Sequence, residues 1–564
     1  MALKLQSFER LTLLASALVP ASMTVWWAPD VAPAEADATT IAALGFAYTG
    51  ASHILDPLRG ALARLLPVST HAYRLTLINA LILGLFSALL CDAIRRFLAR
   101  FDARATRLSC GVALFATLAV TISPAWQSEA ASVSGTLLAT VLVLAPICFD
   151  PDERVGRRAM LLALALALAA DPAAGVLGIA LVLSSRPHRD ALPKGRTILI
   201  SLALLGALVV LAAMSVRSTL VRAEPLYPLV PFREYGSRLR AAVVNDWGPA
   251  TVAIGVLGLV VGYLQGARDL VRCAGIVIVG APVLFFLGSK TAVPLLSCAL
   301  AIGLATLAHV VLLRVRYANL AFARTSSGLI FVMLLAWPIA LADTTSLRLA
   351  VRIDPAQAKW DLLALGSMPT GALIVTDDAQ FMRRLTAVRI ARGIAPDATI
   401  IDPSAMASPV SRAALRLSRL SVWHDLYFDT HIGEFALAHD ASLHPLYVTR
   451  SKRFTHPVMR HLMPDGLVFR VDVEPRAQSE RRRALESSRA VRQTLVLSTE
   501  NAKDAKLTAL TATLLREQVV AAAAGGDREI VPALIEDLIR VQPDHDVVEA
   551  LRRRLDSPSQ VELD

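Results

Sequence analysis

The sequence predicts an α-helical polytopic membrane protein that ends in a small α/β domain and a helical tail. Hydrophobic residues make up 55% of its 564 residues and the mean hydropathy is +0.54, whereas soluble domains average roughly 45–50% apolar residues. Apolar runs of near-spanning length recur up to about residue 345. From about residue 351 basic and acidic side chains are equal in number. We therefore predict a transmembrane domain at 1–345, an α/β domain at 351–474 and a tail at 475–564.

About eleven apolar segments are candidates for membrane-spanning helices. They lie at 11–27, 75–91, 109–124, 133–149, 159–170, 172–184, 197–214, 249–265, 273–288, 292–313 and 328–343. Asp171 and Pro172 divide the pair at 159–184, which is compatible with two thin spans or with one re-entrant hairpin. Irregular backbone at membrane depth requires cover by protein or water.

The basic residues predict the orientation, because short cytoplasmic loops carry the excess of Lys and Arg. Every second loop is basic. These residues are Arg95, Arg96, Arg100, Arg104 and Arg107 after the second span, Arg154, Arg157 and Arg158 after the fourth, Arg186, Arg189, Lys194 and Arg196 after the sixth, Arg268 and Arg272 after the eighth, and Arg314, Arg316 and Arg324 after the tenth. A cytoplasmic N-terminus follows, and an odd number of spans places the C-terminal region outside.

Loop topology also accounts for the net charge of +11, so no nucleic-acid partner is predicted. A cleaved signal peptide is the alternative for the first segment, since Ala32-Pro33-Ala34 resembles a cleavage site.

Four tryptophans fall at predicted outer ends of spans, where indole rings favour the membrane interface. They are Trp26, Trp27, Trp126 and Trp247.

Two long outer loops contain the candidate chemistry. The first, residues 28–72, begins with acidic residues and continues with two short helical patterns at 39–48 and 55–66. The second, residues 216–247, is rich in arginine and so departs from the positive-inside pattern.

The region after residue 351 alternates short strand and helix patterns, which is typical of an α/β domain. Strands are predicted at 372–376, 399–401, 446–448 and 467–471, and helices at 378–390 and 410–420. The tail contains only helical patterns, near 476–497, 503–523, 527–541 and 545–555.

No phosphate-binding Gly-rich loop, GxSxG, HExxH or CxxC motif occurs in the sequence. We therefore predict neither a metal nor a cofactor. The five cysteines lie in or beside apolar runs, as small buried hydrophobic residues do.

Carboxylates at the start of the first outer loop are the candidate general bases. Glu35 and Asp37 follow the first span closely, as does Asp30, and a carboxylate at the outer membrane face can accept the proton of an acceptor hydroxyl. A solvated acidic loop is the alternative interpretation. His53 and Asp56 in the same loop are weaker candidates.

Arginines of the second outer loop are the candidate phosphate ligands, because guanidinium groups bind phosphate bidentately. The residues concerned are Arg222, Arg233, Arg238 and Arg240. They could hold the phosphate of a lipid-linked donor, or contact ordinary lipid headgroups.

Two further acidic positions have competing interpretations. Asp171 is ionisable and close to membrane depth, which indicates function, but Asp171-Pro172 also fits a helix cap or turn. Asp377 and Asp378 follow the first strand of the α/β domain, where they could bind substrate or metal or cap the next helix.

The layout and several motifs resemble the GT-C superfamily of glycosyltransferases, and more narrowly the protein O-mannosyltransferase-like membrane proteins. Asp37–Ile41 corresponds to the Asp-Ser-Gly-Glu-Leu motif of that family, and His53–Leu58 to its His-Pro-Pro-Gly-Tyr-Pro-Leu motif. Met368–Ala372, His444–Tyr447 and Met463–Leu467 are similar to its outer domain. The resemblance covers roughly residues 10–475.

The sequence also departs from this family. Thr40 stands where the family has Glu, and the paired prolines and the Gly-Tyr of the second motif are absent. Val133–Gly135 stands where the family has Glu-Val-Tyr. The scaffold therefore matches better than the catalytic motif does.

The resemblance implies a glycosyltransferase of the bacterial inner (plasma) membrane. A polyprenyl-phosphate-linked sugar would be transferred to a hydroxyl of an acceptor protein or glycan at the extracytoplasmic face. Asp37, aided by Glu35, would be the base, and the arginines and His53 would bind the donor. The altered motifs favour an alternative, a catalytically inactive membrane scaffold or lipid-sugar binding protein. A secondary transporter fits less well, because the paired internal repeats usual in that class are absent.

Overall fold

A computed structural model describes most of the chain. The described residues are 2–28, 55–99, 106–133, 135–191, 230–266, 268–318, 339–343, 345, 355–366, 368–395, 397–401, 434–449, 456–502, 505–525, 527–542, 548–549 and 553. The described residues form two compact units, one that ends at residue 345 and one that begins at residue 355. They are called the helical unit and the α/β unit below.

The described part of the helical unit consists of α-helices. They are α1 (Ala2–Trp26), α2 (Leu55–Arg64), α3 (His71–Ala99), α4 (Thr106–Thr121), α5 (Pro124–Ala131), α6 (Thr136–Cys148), α7 (Arg154–Ala170), α8 (Pro172–Ser184), α9 (Arg186–Asp190), α10 (Phe232–Trp247), α11 (Pro249–Leu264), α12 (Arg268–Phe286) and α13 (Ala292–Ala318). Nine of the predicted apolar segments coincide with helices. The segment at 197–214 and most of that at 328–343 lie outside the described residues.

Only some of the described helices have the length and composition of a membrane span. Residues 71–99 and 292–315 qualify, and 107–121 with 124–131 would make a third if this pair, bent by 59°, is one span. Shorter apolar helices occupy 136–148, 172–184, 251–264 and 271–286. An integral membrane protein is therefore indicated, while eleven spans remain a prediction.

Glycines allow α11 and α13 to pack with their backbones in contact. A Cβ atom built on Gly258 would lie 2.0 Å from the carbonyl oxygen of Gly303, and one built on Gly303 would lie 2.0 Å from that of Gly255. No other residue fits at such a distance. Close approach through small residues is a common means of helix association in membranes.

Polar contacts distinguish the two ends of the helical unit. At the Arg96 end, Arg96 donates a 2.6 Å hydrogen bond to the carbonyl oxygen of Cys148 and pairs with Asp150 at 3.3 Å. His188 lies 3.1 Å from the carbonyl oxygen of Phe149 at this end. Loops after the second, fourth and sixth predicted spans therefore meet at one end, as the alternation of basic loops predicts.

The opposite end is called the Pro294 end, because α13 begins there. The indole nitrogen of Trp126 donates to the carbonyl oxygen of Pro294 at 2.9 Å, and Trp126 stacks on Phe86 with ring centroids 5.2 Å apart. Trp126 and Trp247 are both buried. Both lie at the Pro294 end, but they pack and form hydrogen bonds inside the unit instead of facing the lipid interface.

The α/β unit contains a five-stranded mixed sheet in the order β2-β1-β3-β5-β4. Its strands are β1 (Leu373–Val375), β2 (Thr399–Ile401), β3 (Leu446–Val448), β4 (Leu462–Asp465) and β5 (Val468–Val471). Strands β2, β1 and β3 are parallel, and β5 is antiparallel to β3 and β4. The four predicted strands are confirmed. Strand β4, which the sequence analysis missed, contains Pro464 and lies at an edge, where a missing N–H is tolerated.

Helices cover the sheet and follow it. They are α14 (Pro355–Gly366), α15 (Ala379–Arg392), α16 (Glu434–Leu443), α17 (Gln478–Ser487), α18 (Arg489–Ala502), α19 (Ala505–Gly525) and α20 (Val531–Val541). Leu495, Leu507 and Leu514 share a hydrophobic cluster with Ile374 of β1. The segment predicted as a tail therefore packs against the sheet. The predicted helix at 410–420 lies outside the described residues.

Candidate functional site

A buried polar network fixes the first outer loop to the helical unit. Asp56 and Arg59 lie one turn apart on α2 and are 3% and 2% exposed. Arg59 donates to Asn79 Oδ1 of α3 at 2.8 Å and to the carbonyl oxygen of Val133, and its Nη2 lies 3.4 Å from Asp56 Oδ1. One guanidinium group therefore joins α2, α3 and the turn that precedes α6.

Asn79 extends this network to the end of α5. Its side-chain nitrogen donates to the carbonyl oxygens of Ala130 at 3.1 Å and Ser132 at 2.7 Å. These carbonyls belong to the last turn of α5 and the residue that follows it, where helix-terminal acceptors lack intrahelical donors. The amide of Asn79 thus satisfies groups that would otherwise be buried without partners.

Gly135 lies directly against the Asp56 carboxylate. A Cβ atom built on Gly135 would be 2.0 Å from Asp56 Oδ1, so any larger residue would displace the ion pair. Val133–Gly135 is the segment that stands in place of the Glu-Val-Tyr of the resembled family. In this chain the segment accepts a hydrogen bond from Arg59 and leaves room for Asp56.

The arginine-rich outer loop ends in the amphipathic helix α10. Its inner face, Tyr235, Leu239, Val243 and Trp247, repeats every four residues, and the Tyr235 hydroxyl donates to the carbonyl oxygen of Pro282 at 3.0 Å. Trp247 Nε1 donates to Ser297 Oγ at 3.0 Å. Because Ser297 is one turn from Pro294, α10 lies at the Pro294 end.

The outer face of α10 presents the three predicted arginines to the surroundings. Arg233, Arg238 and Arg240 are all exposed. Arg238 pairs with Glu234, whereas Arg233 and Arg240 form no ion pair within the described part of the chain. They are two turns apart and therefore share one face of the helix. Phe232, 84% exposed, lies at the start of the same helix.

The first-loop helix α2 and the arginine helix α10 are connected through a short series of contacts. Arg59 of α2 binds Asn79, which binds the end of α5. Trp126 of α5 binds Pro294 of α13, and Ser297 one turn later binds Trp247 of α10. Both outer-loop elements thus belong to the Pro294 end.

The remaining predicted site residues lie outside the described residues. They are Glu35, Asp37, His53 and Arg222. Their roles as bases and donor ligands stay predictions. The described residues contain no group of three or more His, Cys, Asp or Glu side chains that could hold a metal ion.

Asp171 caps a helix, as one of its two interpretations predicts. Its Oδ1 accepts from the backbone nitrogen of Ala174 at 3.1 Å, at the start of α8. Its Oδ2 accepts from the hydroxyl of Ser289 at 2.8 Å, which ties the α7–α8 connection to the α12–α13 turn. Asp378 also acts as a cap, because Phe381 N donates to its Oδ1 at 3.1 Å.

Sequence reasoning missed Arg59 and Asn79 and ranked Asp56 low. A signal for them exists: Asn79 is a polar residue within an apolar run, and Asp56 and Arg59 have the i,i+3 spacing of a helical ion pair. Polar groups at membrane depth are expensive and are retained for packing or function.

No protein-family model matches the chain, and no curated protein matches it. Two solved structures are similar. Arabinofuranosyltransferase AftD from Mycobacteria is 17% identical with a TM-score of 0.41, over 79% of this chain and 35% of that chain. ArnT from Cupriavidus metallidurans bound to undecaprenyl phosphate is 15% identical with a TM-score of 0.42, over 73% of this chain and 95% of that chain.

This chain thus spans about a third of the length of AftD. At these identities and TM-scores the two similarities assign neither a family nor a function to this chain, and nothing among the comparisons supports the narrower O-mannosyltransferase-like resemblance. The described part of the chain is largely helical with a small mixed sheet, and it contains helices long and apolar enough to cross a membrane.

Proposed function

We propose that this protein is a membrane glycosyltransferase that moves a sugar from a polyprenyl-phosphate donor to a hydroxyl acceptor at the extracytoplasmic face. The main support is the position of α2 and α10. The sequence assigns the base to the loop that contains α2 and donor ligands to the helix α10, and both helices belong to the Pro294 end.

In this proposal the donor phosphate lies against the exposed arginines of α10. Asp37, aided by Glu35, takes the proton of the acceptor hydroxyl, and the oxygen attacks the anomeric carbon of the sugar. The bond from that carbon to the phosphate oxygen breaks, and polyprenyl phosphate leaves with the electron pair. Arg233 and Arg240 stabilise the negative charge that develops on the leaving phosphate.

The buried Asp56–Arg59–Asn79 network contributes rigidity rather than proton transfer. Both Asp56 and Arg59 are almost inaccessible, so neither meets a substrate hydroxyl. The network holds α2, the described part of the first outer loop, in place. Groups held in position in advance lower the cost of ordering the transition state.

The test uses full-length protein reconstituted with radiolabelled polyprenyl-phosphate sugars, and it measures release of polyprenyl phosphate. Asp37→Asn should lower the rate by roughly 10²–10⁴-fold, the usual contribution of a general base. Asp30→Asn is the comparison, because Asp30 is the carboxylate of the same loop that the proposed step does not use, and this variant should retain activity. Unchanged turnover by Asp37→Asn would contradict the assignment of the base.

A catalytically inactive lipid-sugar binding protein or scaffold is the second candidate. Thr40, in place of the glutamate of the resembled family, favours it. Saturable binding of the donor by the wild-type protein, without turnover for any sugar or acceptor tried, would support this candidate over the enzyme.

A further inference from the structure

A cavity of about 110 Å³ lies within the helical unit, away from the proposed site. It is lined by the last turns of α3, α6 and α8, the first turns of α12, and residues 298–302 of α13. Arg96, His188 and Asp269 lie around it at the Arg96 end, whereas Val277 and Ala299 are farther along their helices. The cavity therefore extends from this end toward the middle of the helices.

The polar and charged side chains that line the cavity at the Arg96 end already have partners. Arg96 Nε binds Asp92 at 2.9 Å, and Asp269 pairs with Arg272 at 3.7 Å. The ring of His188 bridges Ser185, at 2.7 Å, and the carbonyl oxygen of Phe149. An occupant consequently needs no charge of its own.

The deeper walls are apolar or weakly polar. Val277 is 3% exposed, and Ala299 and the free thiols of Cys273 and Cys298 are also buried. An apolar cavity of about 150 Å³ stays dry and accepts a molecule such as benzene. A space of similar size, with no unsatisfied charge, suits a few carbon atoms of a chain and is too small for a whole lipid.

We propose that this cavity binds the end of one acyl chain of a membrane phospholipid. The cavity lies in a unit whose surroundings are hydrocarbon, so acyl chains are the most abundant apolar ligands available. Filling the space restores van der Waals contacts that its lining lacks when empty. The lipid would connect α3, α6, α8, α12 and α13 at the end opposite the proposed catalytic site, and the proposal is independent of that function.

The experiment uses full-length protein in nanodiscs that contain a trace of phosphatidylcholine with a diazirine at the tip of one acyl chain. Irradiation should label residues in the first turns of α12 and at 298–302 of α13. Val277→Trp fills the cavity and should lower this labelling at least tenfold. Val279→Trp is the matched control, because Val279 lies on the same helix but is 72% exposed, and it should leave the labelling unchanged.

Equal labelling of the cavity residues in wild type and Val277→Trp would overturn the proposal, as would labelling confined to exposed residues such as Val279. A second comparison needs only wild-type protein, in case the tryptophan variant does not fold. A probe with the diazirine next to the headgroup should label Ala299 several-fold less than the tip probe, and equal labelling would contradict insertion of the chain end. A free fatty acid probe that labels the cavity when the phospholipid does not would also overturn it.

Discussion

The Asp56–Arg59 pair shows how one buried charge organises the helical unit. Removing two charges from water costs several kcal/mol per ion, and only good geometry with additional hydrogen bonds compensates for it. Arg59 has both, since it also donates to Asn79 and to the carbonyl oxygen of Val133. Removing either charge alone should therefore be far more harmful than removing both.

Arg59→Leu should lower the free energy of unfolding by about 3–5 kcal/mol, because it leaves the Asp56 carboxylate buried without its guanidinium partner. The double variant Asp56→Leu/Arg59→Leu should recover a large part of this loss. Denaturant unfolding in detergent micelles provides the measurement. A double variant less stable than Arg59→Leu would show that the pair is not coupled in this way.

Asp361 of the α/β unit provides a prediction about pH. Burial raises the pKa of this carboxyl from 3.8 to about 6, and the neighbouring Arg384, 3.2 Å away, opposes the shift without cancelling it. The folded state therefore retains the proton at pH values where the unfolded chain has lost it. The stabilisation of the folded state by this proton is complete well below pH 3.8 and is lost as the pH rises through 6.

The contribution of Asp361 should thus fall by about 2 kcal/mol between pH 4 and pH 7, which is most of the roughly 3 kcal/mol that the whole shift represents at 1.36 kcal/mol per pKa unit. Hydrogen exchange of peptides that cover α14 and α15, measured on the full-length protein over this range, is the readout. Asp361→Asn has no ionisable group and should remove this component of the pH dependence. An identical pH profile for the variant would show that Asp361 does not titrate in this range.

At the scale of elements, the sequence predicts helices and strands well where the spacing of apolar residues fits only a helix or only a strand. The strand at 399–401 agrees with the structure residue for residue. The apolar run at 109–124 predicts one segment, but α4 ends at Thr121 and α5 begins at Pro124 with a 59° bend. Proline at the first helical turn both starts α5 and prevents continuation of α4.

The sequence analysis did not predict helix α10, because it interpreted this loop from its arginines, as a phosphate-binding or headgroup-binding segment. The apolar residues at four-residue intervals, from Tyr235 to Trp247, were the available signal. The Asp56–Arg59–Asn79 network could not be derived from sequence alone, because Asn79 is twenty residues from Arg59 and the turn at Val133 is still farther along the chain. Only packing of the helices brings these groups together.

Among the residues that the structure describes, only one of the three arginines of α10 is engaged in an ion pair, so the three should contribute unequally to binding of the proposed donor. Arg233→Gln and Arg240→Gln should each weaken donor binding about tenfold or more, since hydrogen bonds to charged groups contribute about 1.5–3 kcal/mol. Arg238→Gln should have a smaller effect, because Arg238 is already paired with Glu234. Equilibrium binding of a labelled polyprenyl-phosphate sugar tests this order, and equal effects of all three changes would contradict it.

Because the backbones of α11 and α13 are in contact, replacing a glycine by alanine should destabilise the protein at this contact but not at an open position. Gly258→Ala and Gly303→Ala should each destabilise the helical unit by about 1–3 kcal/mol, the usual cost of overpacking. Gly275→Ala on α12 is the control, because a Cβ atom at this position would have no neighbouring atom within 4 Å. It should be neutral or slightly stabilising, since alanine favours helix by about 1 kcal/mol over glycine. Melting temperatures in one detergent would compare the three.

At the scale of the whole molecule, the two ends of the helical unit can be assigned to the two sides of the membrane. Glu153→Cys and Asp190→Cys introduce exposed thiols at the Arg96 end, and Arg240→Cys introduces one at the Pro294 end. The native cysteines are buried and should give little background. A membrane-impermeant maleimide should label Arg240→Cys in intact cells and the other two only after permeabilisation. The opposite pattern would reverse the predicted orientation.

The direct contact of the α11 and α13 backbones restricts how a lipid-linked molecule can reach the interior. At Gly258 and Gly303 the two backbones are so close that no isoprenoid chain fits between them. A lipid-linked donor of the kind proposed above would therefore have to enter the bundle at a place other than this glycine contact.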